Sequence, residues 1–141
     1  MNKVNPGAVI VAAIVDWLAQ AGWFTGFSKI YVAGLGLTPE QVEADKAHAT
    51  VWPYVIALVA NLVMALVLAK VIAWVGEWSA SGGARVGLIL GLGIAFTAMA
   101  TANVFEQRAL SFILVSAGYP VVGCMNMGAI LGAWKPKGVA A

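Results

Sequence analysis

The chain has 141 residues, of which 62% are hydrophobic and only 10% are charged, with a net charge of +2. Ordinary soluble domains contain roughly 45–50% apolar and about 25% charged residues, so this composition argues against a water-soluble fold. The basic residues are scattered, and no basic run with interleaved aromatic residues indicates nucleic-acid binding. We therefore predict an integral membrane protein whose surroundings are the lipid bilayer, with no nucleic-acid partner.

Four apolar stretches are long enough to cross a membrane as helices, which requires about 20 residues each. They cover approximately residues 7–27, 51–75, 85–105 and 110–134. Residues 77–83, between the second and third stretches, are polar and rich in glycine, which is typical of a flexible turn. The pattern predicts one all-α domain over residues 1–141, an integral membrane four-helix bundle built from two antiparallel helical hairpins.

The long connection between the first two spans contains the start of a further helix. Thr38 is suited to cap it, Pro39 to occupy its first position, and Gln41 to reach back to the cap. We predict a short polar helix from Pro39 to about His48 in this loop.

The distribution of basic residues predicts the orientation of the bundle. Four spans place both termini on one side, which carries five basic residues against three on the other. Cytoplasmic segments carry the excess of Lys and Arg, so we predict that both termini are cytoplasmic. The five residues on the terminal side are Lys3, Lys70, Arg85, Lys135 and Lys137.

Four polar side chains at membrane depth form a candidate site, because such groups are costly in lipid and suggest a function. Asp16 lies about 12 Å into the first span, and Gln20 follows one turn later on the same face. Asn61 lies near the middle of the second span and Asn103 near the end of the third. Two interpretations stay open. Asp16 is either a protonatable or cation-binding site, or a neutral acid hydrogen-bonded to Gln20, Asn61 or Asn103.

Small residues recur at four-residue spacing in the last two spans. The third span has Gly87, Gly91 and Ala95, and the fourth has Gly128 and Gly132. Such stripes let helix backbones approach closely in a membrane. They indicate either a dimer interface or contact between helices of one chain.

Pro120 and the turn before the fourth span are further candidates. Pro120 lies in mid-span, where a missing amide donor predicts a kink, and we regard it as a candidate hinge. Glu106 and Arg108 are two positions apart and would not face each other on a helix. We therefore predict that they pin the hairpin by pairing elsewhere, Glu106 with Lys29.

No pattern in the sequence indicates catalysis. Cys124 is the only cysteine and His48 the only histidine, so metal-ligand spacing of these residues is absent. No glycine-rich phosphate loop or activated nucleophile motif is present either. We expect a non-catalytic protein with no cofactor and no metal.

Several motifs of the chain occur together in a known family. Asn103 precedes the turn Glu106-Gln107-Arg108, an Ala-Gly-Tyr ends at Tyr119, and Met-Gly-Ala-Ile-Leu-Gly-Ala-Trp covers residues 127–134. The first hairpin adds Gly-Trp-Phe-Thr at 22–25, Lys29, and Gly-Leu-Thr-Pro-Glu at 36–40. Over nearly its whole length the chain resembles the bacterial membrane family called domain of unknown function 1761. The resemblance implies four spans in a bacterial inner membrane and implies no activity.

The chain departs from the pattern of that family at a few positions. The pattern has glycine at Gln107, Asn or Asp at Ser116, and often His at Pro120. It has no acid at Asp16, which would make this residue particular to the present chain. If the Asn and His serve a function in relatives, this chain lacks the pair.

Two functions follow from these features. The first is a small non-catalytic membrane protein that acts through helix packing, as a homo-oligomer or as an accessory subunit of a membrane complex. The alternative is a small proton- or cation-coupled transporter that uses Asp16. Because four spans enclose little space for a path, a transporter would require a dimeric bundle.

Overall fold

The computed structural model describes residues 3–139, and these fold into helices and their connections. In chain order the helices are α1 (Pro6–Gly26), α2 (Ser28–Leu35), α3 (Pro39–Ala47), α4 (Trp52–Val75), α5 (Ala80–Leu90), α6 (Thr97–Phe105) and α7 (Leu110–Ala133). A π-helical turn, Gly91–Phe96, joins α5 to α6. Four helices are long and apolar enough to cross a membrane: α1, α4, the continuous helix Ala80–Phe105, and α7. The predicted all-α membrane bundle is confirmed.

Side-chain caps mark the starts of α1 and α3. The Asn5 side chain accepts a hydrogen bond from the Gly7 amide at 3.0 Å, and Pro6 occupies the first turn of α1. At α3, the Thr38 hydroxyl accepts from the Gln41 amide, and the Gln41 side chain accepts from the Thr38 amide at 2.8 Å. The predicted capping box and short helix are therefore present.

The third span begins earlier than predicted. Helix α5 starts at Ala80, so Gly82 and Gly83 belong to the helix and not to a flexible turn. The cause is Ser79, whose hydroxyl accepts a hydrogen bond from the Gly82 amide at 3.0 Å and caps the helix. The predicted start at Arg85 is thus corrected by about one and a half turns.

Helix α7 lies at the centre of the bundle and contacts α1, α4 and α5. The core between these helices combines alanine with larger aliphatic side chains and one methionine. In lipid, helices associate through close packing, because lipid tails are as apolar as leucine. Small core residues serve that purpose, and the buried ones include Ala8, Ala12, Ala13, Ala65 and Ala69.

Glycines bring α5 and α7 into backbone contact. A methyl group at Gly83 would overlap the carbonyl oxygen of Gly128, and one at Gly87 would overlap that of Cys124. A methyl group at Gly132 would likewise meet the Ser79 carbonyl oxygen. The stripe on α5 thus begins one turn before Gly87.

The stripe continues at Gly91, where the π-helical turn begins. A Cβ at Gly91 would lie 2.9 Å from the Val121 Cα, so this residue also faces α7. Ala95 is half-buried and lines an apolar groove of about 330 Å³ beside Met64 and Cys124. The place of Ala95 in the stripe stays a prediction.

Candidate functional site

Asp16 is buried between α1 and α7, and it is only 2% exposed. The hydroxyl of Tyr119 lies 2.6 Å from its Oδ1 and 2.7 Å from its main-chain oxygen. Space for the carboxyl group depends on Gly123, because a Cβ there would lie 2.8 Å from Oδ1. Asp16 and Tyr119 therefore form a polar pair inside the bundle, and Gly123 leaves room for it.

The partner of Asp16 differs from the three that the sequence predicted. Gln20 faces α4 instead, where its Oε1 accepts a hydrogen bond from Asn61 at 3.5 Å. Asn103 donates to the Ser116 hydroxyl of α7 at 3.1 Å. The predicted polar residues thus form separate pairs between helices and do not converge on Asp16. The Ala-Gly-Tyr motif drew attention to Tyr119 in the sequence. Its contact with Asp16 could not be predicted, because that requires knowing which faces of α1 and α7 meet.

An aromatic cluster lies between Tyr119 and the end of the bundle that carries α2. The Trp23 indole donates to the Val115 carbonyl at 3.0 Å, and its ring lies 5.8 Å from that of Tyr119. Tyr31 of α2 stacks on Phe112 with ring centroids 5.2 Å apart. Since these rings belong to α1, α2 and α7, the cluster attaches α2 to the bundle.

The turn before α7 contradicts the predicted pairing. The Arg108 Nε lies 3.2 Å from the Glu106 carboxylate, so the two residues pair with each other. Gln107 between them has a φ of 57°, and this left-handed residue breaks the helical geometry on which the prediction relied. Arg108 also donates to the Gly34 carbonyl at 3.0 Å, which ties the turn to α2. The pair does pin this end, although without Lys29.

The backbone of Gln107 is left-handed, a conformation that glycine adopts at less cost than residues with a side chain. Replacing Gln107 with Gly should raise the free energy of unfolding by about 0.5–1 kcal/mol, since a side chain is disfavoured in this conformation. Thermal unfolding in detergent measures the effect. Gln41→Gly is the matched control, because Gln41 lies in a right-handed helix and completes a cap, so its replacement should destabilise. A destabilised Gln107→Gly variant would contradict this prediction.

Two other residues considered in the sequence, Pro120 and His48, make no polar contact with Asp16. Helix α7 runs continuously through Pro120, whose carbonyl oxygen would lie 3.1 Å from a Cβ at Gly91. His48 is exposed at the end of α3 and its ring contacts the Ala44 carbonyl of its own turn. Among residues 3–139, no three His, Cys, Asp or Glu residues are grouped as metal ligands would be.

These features define a class of protein: a multi-pass helical membrane protein with polar side chains paired between its spans. Its sequence matches the family described as a protein of unknown function, DUF1761, over residues 7–132, and the chain belongs to that family. No curated protein and no solved structure matches it significantly. Several residues of the motifs on which the resemblance rests join helices in the structure, among them Trp23, Asn103, Arg108 and Tyr119.

Proposed function

We propose that this chain is a non-catalytic membrane protein that acts by packing against other membrane helices. It does so as a homo-oligomer or as an accessory subunit of a larger membrane complex. It lies in a bacterial inner membrane with both termini in the cytoplasm.

The observation that carries this proposal is the unequal packing of the four spans. Half of the most apolar stretch of α7 is buried, against 6% of that stretch in the span Ala80–Phe105. Large side chains of this span point outward: Ile89, Leu92, Ile94, Val104 and Phe105 are between 50% and 85% exposed. Exposed helix faces of this kind are available to lipid and to helices of other subunits alike.

Charge supports the orientation. Lys3 and Lys137 lie together at the end of the bundle that holds the termini. The opposite end, with α2, α3 and the turn before α7, carries three basic residues, Lys29, Lys46 and Arg108, against five on the terminal side. Positively charged segments stay in the cytoplasm, so the terminal end belongs there.

The number of copies in a bilayer tests the proposal. We expect single-molecule photobleaching of the labelled chain in lipid vesicles to show more than one copy per complex. In the accessory-subunit case, purification from the native membrane in mild detergent instead yields a second membrane protein at constant ratio. A chain that is monomeric in vesicles at every density, and that also purifies alone, contradicts the proposal.

A second candidate function is a proton- or cation-coupled carrier, which the burial of Asp16 favours. An ionisable group at this depth is typical of ion pathways in transporters. Asp16→Asn keeps an oxygen for the Tyr119 hydrogen bond but cannot exchange a proton. If the chain is a proton-coupled carrier, this variant should lose proton uptake into vesicles under a pH gradient. The unfolding temperature of the variant should stay the same. Unchanged uptake would remove Asp16 from any transport mechanism.

A further inference from the structure

The outward side of α7 carries a polar side chain that lacks a partner in the part of the chain that the structure describes. Asn126 is exposed, and its amide makes no hydrogen bond within residues 3–139. It lies seven residues before the end of α7, about 10 Å inside the helix end. The helix is about 36 Å long and the hydrocarbon about 30 Å thick, so this amide lies in lipid. An unpaired amide is costly there.

The other uncharged polar side chains in the interior of the spans are satisfied within the chain. The hydroxyl groups of Thr97 and Thr101 donate to carbonyl oxygens of their own helix, at 2.9 and 2.8 Å. Gln20 and Asn61 bond to each other, and Asn103 bonds to Ser116. Among these residues Asn126 stands apart.

Long charged side chains have an alternative that Asn126 lacks. Arg85 lies on α5 between Gly83 and Gly87, which pack against Gly128 and Cys124, so it is at a similar depth. Its stem can extend to the headgroups and leave the charge in a polar environment. The side chain of asparagine is too short to reach the interface from this position.

The surface around Asn126 is suited to close helix contact. We call Ser111, Leu114, Gly118, Val122, Asn126 and Ala133 the outer face of α7, since each is exposed or half-buried on one side of this helix. At Gly118, no atom lies within 4 Å of the position that a methyl group would occupy, so a neighbouring backbone can approach there. The glycines at 123, 128 and 132 face the inside of the bundle and are already used.

We infer that two copies of this chain form a symmetric dimer through the outer face of α7, with their Asn126 amides hydrogen-bonded to each other. The inference rests on the proposed function and names its partner as a second copy. An amide both donates and accepts hydrogen bonds. A two-fold contact uses the same patch of both copies, and a residue next to the axis meets its own equivalent, so an Asn126 placed there is complementary to itself. Two turns away, Gly118 allows the backbones to come close enough for this bond.

The strength of self-association tests the role of the amide. Fluorescence energy transfer between labelled chains in phosphatidylcholine vesicles should show a dimer that Asn126→Leu weakens about tenfold, as expected for an interhelical amide bond in lipid. Asn126→Gln keeps an amide and should retain most of the association. Val63→Leu, on the exposed side of α4, is the matched control and should change nothing. Leucine at 126 faces lipid, so the unfolding temperature of the single chain should not fall.

Cross-linking locates the interface. In a Cys124→Ser background, Val122→Cys places the only thiol one turn from Asn126 on the outer face of α7. Oxidation in vesicles should link two copies through this thiol, whereas Val63→Cys on α4 should give no linked dimer. Adding Asn126→Leu to the Val122→Cys chain should reduce the yield.

Results that contradict the dimer through α7 can be distinguished from results that contradict the proposed packing function. A dimer that Asn126→Leu leaves equally stable, or that links at position 63 and not at 122, overturns the inference and leaves helix packing as the function. A wild-type chain that is monomeric at every density also overturns it. The proposed function then depends on a co-purifying subunit, and without one both fail.

Discussion

Gly87→Ala is expected to lower the free energy of unfolding by about 3 kcal/mol, at the upper end of the usual range for overpacking. The added methyl group would overlap the carbonyl oxygen of Cys124, which is backbone and cannot rotate away. Helices α5 and α7 would have to separate, and Gly83 would lose its contact with Gly128. Thermal unfolding in detergent measures the loss, which should lower Tm by roughly 10 °C.

Gly22→Ala is the matched control for this prediction. Gly22 is also helical, but it lies on the exposed side of α1, and no atom is within 4 Å of its Cβ position. The same change should therefore be neutral or slightly stabilising, because alanine favours helix by up to about 1 kcal/mol over glycine. If both variants unfold at the same temperature, the close contact between α5 and α7 does not stabilise the bundle.

The parts of the fold that depend on neighbouring residues could be predicted from the sequence. Length and hydropathy are properties of a continuous stretch, so the four spans could be found without knowing how they pack. The cap at Thr38 involves residues three positions apart, and the structure has it as predicted. These features are local, and no tertiary contact overrides them.

The parts that depend on helix rotation could not be predicted. Whether Asp16 meets Asn61 or Tyr119 is decided by which sides of α1 and α7 touch, and the glycine contacts of α7 help to fix that. The π-helical turn after Leu90 and the left-handed residue Gln107 have no clear signal in a single sequence. The left-handed residue turns the chain between Glu106 and Arg108, which is why the predicted pairing of Glu106 failed.

The two polar features of α7 lie on different sides of the helix and therefore have different consequences. Tyr119 points into the bundle and satisfies Asp16 within one chain. Asn126 points outward, where only lipid or another helix is available. A single span thus combines an internal contact that stabilises the fold with an external group that favours association. Variants at 119 should change the stability of one chain, and variants at 126 should change the number of copies.

Tyr119→Phe is expected to lower the free energy of unfolding by about 2 kcal/mol, because the buried Asp16 carboxyl group loses its hydrogen-bond donor. Pairs between membrane helices average only about 0.6 kcal/mol, so this value is large. Ser116→Ala provides the comparison, since it removes only the partly buried pair with Asn103. It should cost about 0.6 kcal/mol. Denaturant or thermal unfolding in detergent distinguishes the two.

A double-mutant cycle shows whether the Tyr119 hydroxyl acts through Asp16. In an Asp16→Ala background, Tyr119→Phe should lose most of its effect, because no carboxyl group remains to be satisfied. The main-chain oxygen of residue 16 still accepts from the hydroxyl, so a small part of the loss should persist. Tyr54 is 61% exposed, so Tyr54→Phe should stay within about 0.5 kcal/mol of the wild type. An equal cost of Tyr119→Phe in both backgrounds would mean that the hydroxyl does not stabilise the bundle through the Asp16 carboxyl group.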